Sequence, residues 1–99
     1  MEKESIIEIG IDTLERLYLK PLKKSFSLIY RTATEVHWDS VNRFLYSPKP
    51  REWSYYDWYL HIINVAKSEC DCELFLNEET KWVNIPKDLK NQILKTPTL

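Results

Sequence analysis

One stretch constrains the fold more than any other: Trp53-Ser54-Tyr55-Tyr56-Asp57-Trp58-Tyr59-Leu60-His61-Ile62-Ile63-Asn64-Val65-Ala66. It reads as a helix that runs on to Cys70. Ser54 is placed to cap the first turn through its hydroxyl, and Asp57, three residues on, to reach back to the Ser54 amide. Asp57 also sits where the helix dipole favours a negative charge. Trp53 before the cap and Trp58 five residues later have the spacing of a hydrophobic staple. At 100° per residue, Tyr55, Tyr59, Ile62, Ile63, Ala66 and Cys70 share one face, and Asp57, His61, Asn64 and Ser68 the opposite one.

Ninety-nine residues suit one domain, 1–99, burying roughly 60–65% of its unfolded surface. Thirteen aromatics, four of them Trp, supply large areas for so small a core. A net charge of −1 argues against general electrostatic binding of nucleic acid. A single glycine and 43% apolar content argue against disorder. No apolar run is long enough to span a membrane, and the acidic, interrupted N-terminus is not a signal peptide. Cys70 and Cys72 are too close to form an unstrained bridge, so the expected setting is a reducing cytoplasm.

Residues 5–11 hold four isoleucines and read as a short strand with Ile7, Ile9 and Ile11 on one face, or as a helix capped by Ser5 and Glu8. Asp12-Thr13-Leu14-Glu15 repeats the cap pattern. The stripe Tyr18, Leu22, Phe26, Ile29, Ala33 and Val36 then predicts an amphipathic helix over about 12–37, kinked or restarted at Pro21. Its polar side carries Arg16, Lys20, Lys23, Lys24 and Arg31. Trp38 to Tyr46 fits a short strand or a helical turn, and 47–52 an extended linker set by Pro48 and Pro50. Residues 72–76 and 81–85 predict a hairpin, and Pro86 opens a short last helix with Leu89, Ile93 and Leu94 inward. Residues 96–99 read as a frayed end. The expected fold class is α+β: two main helices on a short antiparallel sheet, with a short C-terminal helix.

The candidate chemistry is sparse. His61 and Asp57 are four residues apart on the polar helix face, as a base and its orienter would be, but no nucleophile accompanies them. A surface pair steadying the first turns fits the same spacing. His37 and Asp39 offer a second His–carboxylate pair, or a histidine placed at a helix end by the dipole. The two cysteines and two histidines lack the paired spacing of a zinc site, so neither metal nor cofactor is expected. The 16–31 helix face carries five cations and residues 69–79 five acids (Glu69, Asp71, Glu73, Glu78, Glu79), which are either two solvated faces, or pair within the fold, or meet an anionic partner or a second copy. Tyr56, Trp58 and Trp82 are the aromatics most suited to an interface or a pocket.

Two segments carry a resemblance: Phe44-Leu45-Tyr46-Ser47-Pro48-Lys49-Pro50-Arg51-Glu52-Trp53-Ser54-Tyr55-Tyr56-Asp57-Trp58 and Glu79-Thr80-Lys81-Trp82-Val83-Asn84-Ile85-Pro86. Across Trp38 to Ile85, about half the chain, the sequence resembles the small orphan proteins carried on bacterial integron gene cassettes. The resemblance implies a compact bacterial cytoplasmic protein of α+β class, often self-associating, with no assigned activity and no catalytic residue to carry over. The expected function is therefore that of a small binding protein, more readily a non-enzyme than an enzyme. The expected partner is a second copy forming a homodimer, or a small-molecule or protein ligand. The alternatives are a small enzyme built on a His–Asp pair, and a regulator touching an anionic partner through the basic helix face. Nucleic acid and membrane are not expected partners.

Overall fold

The computed structural model describes residues 1–27, 29 and 35–96. Strand β1 (Glu2–Ile11) is the spine. The described residues arrange six strands in the order β3-β4-β2-β1-β5, with β6 also on β1. Ile6 and Ile9 are both fully buried, a spacing of three that a regular strand cannot turn to one face. An irregularity between Ile6 and Glu8 supplies the extra residue, so both isoleucines face the core. Ile7 and Ile11, expected inward beside Ile9, are only half-buried.

The predicted helix over 12–37 is corrected over residues 12–21, while 28 and 30–34 of that span lie outside the described residues. Asp12 does cap, but it caps a hairpin turn: its Oδ1 accepts the amides of Leu14 and Arg16, both at 2.9 Å. Glu15 takes a left-handed conformation with φ 63°. The chain then returns as β2 (Leu17–Pro21), antiparallel to β1. Leu17 and Leu19 face the core, and Tyr18 and Lys20 the other side. Phe26, Ile29 and Val36 of the expected stripe are buried, Leu22 is exposed, and Ala33 and Arg31 lie outside the described residues.

Strands β3 (His37–Asp39) and β4 (Phe44–Tyr46) form a hairpin that extends the sheet beyond β2. This resolves the ambiguous segment as strand. Asp39 caps its turn, accepting the amides of Val41 and Asn42 at 2.9 Å each. Helix α1 (Tyr55–Cys70) matches its expectation closely. Both arms of the Ser54–Asp57 capping box are made, and the Trp53 and Trp58 rings lie 4.7 Å apart. Its buried residues are Trp58, Tyr59, Ile62, Val65 and Ala66, so the inward face is rotated toward Trp58 and Val65, with Tyr55, Ile63 and Cys70 half-buried.

The predicted hairpin at 72–85 is also corrected. Strands β5 (Cys72–Phe75) and β6 (Lys81–Val83) exist, but they do not pair with each other. Both lie parallel to β1, β5 along its first half and β6 along its second. The sheet is therefore mixed and larger than the short antiparallel one expected. Helix α2 (Lys87–Leu94) buries Leu89 and Ile93 and packs on α1, while Leu94, expected inward, is exposed. Both helices stand on one side of the sheet, because the core joins Ile9, Leu17, Leu19 and Leu45 to α1 and α2. No helix among the described residues is long and apolar enough to cross a membrane.

Candidate functional site

The other side of the sheet carries a second layer of rings, of which Tyr18 and Phe44 are buried. Register places Glu8, Gly10, Tyr18, Lys20, Phe44, Tyr46, His37 and Val83 on it. Tyr18 and Phe44 are 6% and 9% exposed, yet neither belongs to the main core. Their rings stack at 4.6 Å, Tyr46 meets Phe44 edge-on at 6.0 Å, and His37 lies 5.3 Å from Tyr46. Gly10 makes the stack possible, since a Cβ there would lie 2.5 Å from the Tyr18 oxygen and 2.6 Å from the ring carbon bearing it. The ring lies over the glycine, and its hydroxyl donates to Glu8 Oε2 at 2.8 Å. Burial, and then the bond to the Glu8 carboxylate, push the Tyr18 phenol well above the usual tyrosine range. It is a fixed donor at neutral pH.

Polar groups edge this layer. Arg16 Nε and Nη2 both reach Asp12 Oδ2 at 2.8 Å, and the guanidinium sits 4.3 Å over the Tyr46 ring. The salt bridge and the ring together hold Arg16 in place. An open groove of about 380 Å³ runs between the β1–β2 turn, the β3–β4 turn and the end of β6. Phe44, Ile11 and Val83 give it apolar walls, and Glu8, Lys20 and Asn84 reach it as polar groups.

The expected site residues fall apart from one another. Arg16 and Lys20 join the groove, whereas Lys24 pairs with Glu2, and the amides of Lys23 and Lys24 donate to Glu4. Among the described residues no helix gathers these cations into a basic face. Among the described residues, ion pairs join Asp12–Arg16, Glu2–Lys24 and Glu15–Lys49, and none uses the acids of 69–79. Trp58 belongs to the core, and its Nε1 finds no partner among the described residues. The ring that faces solvent in that cluster is Trp53, 44% exposed. Tyr56 is half-buried with its hydroxyl 2.9 Å from Thr96 Oγ1, and Trp82 lies under Lys90 Nζ at 5.1 Å.

Both carboxylates of the His–Asp candidates bond to main-chain amides. Asp57 accepts the Ser54 N–H at 3.1 Å, and His61 packs edge-on against Trp53 and Trp58 at 5.1 and 5.5 Å. Asp39 is held in its turn, and the Asn42 hydrogen bonds lower its pKa from the ordinary value. Burial pushes the thiols of Cys70 and Cys72 up, away from thiolate chemistry. Among the described residues no group of three or more His, Cys, Asp or Glu side chains could hold a metal.

Sequence reading missed Glu8, Gly10, Tyr18 and Phe44 as parts of a surface. The available signal was the short alternation Leu17-Tyr18-Leu19-Lys20, with the chain's single glycine on the preceding segment. Comparison with known proteins agrees with the integron resemblance. No curated protein matches the chain. A solved structure titled "Structure from the mobile metagenome of North West Arm Sewage Outfall: Integron Cassette Protein Hfx_Cass5" is 41% identical, with 94% of this chain and 93% of that one covered at a TM-score of 0.50. The family described as Integron Cassette Protein Hfx_Cass5 matches residues 4–80. The chain belongs to that integron cassette protein family.

Proposed function

We propose that this protein is a small non-enzymatic binding protein whose working surface is the face of its sheet turned away from α1 and α2. One observation carries the reading: a stacked aromatic layer, edged by fixed charges, lies on a side of the sheet where neither helix packs. Such a mixture of apolar floor and few placed polar groups suits small-ligand recognition. The test is a fragment screen read by amide NMR. Binding at this surface shifts Gly10, Tyr18, Lys20, Phe44 and Val83 together. Hits whose shifts map only to α1 or α2 would overturn the reading.

Self-association is a second reading, supported by the exposure of Trp53 on top of Trp58 and His61. Exposed Trp is the residue type most enriched at interface hot spots. Light scattering at low and high salt measures it. A dimer held by this apolar corner persists in salt and dissociates in Trp53→Ala, while a monomer at both salts removes the reading.

A further inference from the structure

We propose that the groove on the face turned away from α1 and α2 binds a small zwitterion of the α-amino-acid class with an apolar side chain. The proposal rests on that face being a binding surface and names what it binds. Four ionised side chains line the groove: Glu8, Asp12, Arg16 and Lys20. Asp12 and Arg16 are spent on each other. Glu8 and Lys20 are direct cross-strand partners and would ordinarily pair. They form no ion pair among the described residues, and Glu8 Oε2 accepts the Tyr18 hydroxyl. The second Glu8 oxygen and the Lys20 ammonium, on register partners that both line the groove, are left without a protein partner among the described residues.

This arrangement discriminates by charge. A simple anion drawn to Lys20 also meets Glu8 and Asp12. A simple cation drawn to Glu8 also meets Lys20 and Arg16. A molecule carrying an ammonium and a carboxylate a few bonds apart satisfies both free groups at once. Phe44, Ile11 and Val83 then offer an apolar wall to its side chain. The groove volume of about 380 Å³ lies toward the small end of ligand sites, roughly 300–1,000 Å³, which fits a single amino acid.

The experiment titrates the protein with leucine, N-acetyl-leucine and leucinamide, read by amide NMR and calorimetry. Leucine is expected to shift Glu8, Lys20, Phe44 and Val83, and each one-charge derivative to bind about tenfold more weakly, the loss of one charge-assisted hydrogen bond. Lys20→Met should erase the preference for leucine over leucinamide. Glu8→Gln, which keeps an acceptor for Tyr18, should erase the preference over N-acetyl-leucine. The variants' own spectra verify the fold. Equal binding of all three compounds, or no shift with any of them at millimolar concentration, overturns the proposal. Where fragments of other chemistry shift this face and leucine does not, the zwitterion falls and the binding face stands. Where nothing shifts it, both fall.

Discussion

Gly10 and Tyr18 act as one unit. The chain contains a single glycine, and it stands directly across the ladder from the ring that needs its missing side chain. A Cβ at this position would press on the ring at three atoms, from 2.5 to 2.8 Å, so the ring and not only its hydroxyl would have to move. Gly10→Ala is expected to cost about 1–3 kcal/mol, as overpacking of a filled site does. The sign should reverse when the ring is absent. In a Tyr18→Ala background, Ala at position 10 meets no ring and avoids the entropy cost of glycine in a strand, a gain of roughly 0.5–1 kcal/mol. Urea unfolding of the four proteins in this cycle measures the coupling. An equal penalty in both backgrounds would mean that the glycine serves the backbone and not the tyrosine.

The elements differ in how local their causes are, and this decided which were legible in the sequence. Helix α1 is specified within its own residues: Ser54 and Asp57 cap it, and Trp53 and Trp58 staple it. Its far end turns through Asp71, in a left-handed conformation with φ 51°, directly into β5. Ser54→Ala is therefore expected to lower stability by about 1 kcal/mol. Asp71→Gly should raise it slightly, by under about 1 kcal/mol, since Asp tolerates this conformation better than most residues. Thermal denaturation of both variants checks the pair, and a destabilised Asp71→Gly would show that the aspartate side chain matters more than its backbone angle. Asp12, by contrast, carries the same capping chemistry but spends it on a hairpin turn. Strand β2 is only five residues long, too short for its alternation to outweigh a helical stripe that continues through Phe26, Ile29 and Val36. Those three residues are buried in the core, as that stripe required. The groove depended on this same strand, so misreading β2 hid the site.

At the scale of the whole molecule, β1 ties the two ends of the chain together. Its partners β5 and β6 come from residues 72–83, and neither pairing leaves a local trace in the sequence. The two strands were legible from composition, but their common partner was not, and adjacency suggested a hairpin. Residues between them are fastened to the sheet by side-chain hydrogen bonds. Thr80 Oγ1 donates to the Ile6 carbonyl at 2.6 Å and accepts the Asn77 amide at 3.0 Å, and Asn77 Nδ2 donates to Ser5 Oγ at 2.7 Å. Thr80 is buried, so Thr80→Val leaves two polar groups unsatisfied and is expected to cost about 1–3 kcal/mol. Because one of the lost bonds ties the β5–β6 connection to β1 and the other holds the turn that carries Asn77 to Ser5, the damage should appear as opening of that seam. Cys72, fully buried on β5 and paired in register with Glu2, is the natural reporter. In a Cys70→Ser background a thiol reagent reaches Cys72 only when the seam opens. Thr80→Val should raise its labelling rate about tenfold for each ~1.4 kcal/mol lost from the opening free energy. Deleting residues 2–5, which removes the β1 half of this ladder, should raise the rate further. If Thr80→Val lowers global stability while Cys72 labelling keeps its original rate, the seam does not open as a unit and the Thr80 bonds hold only their own turn.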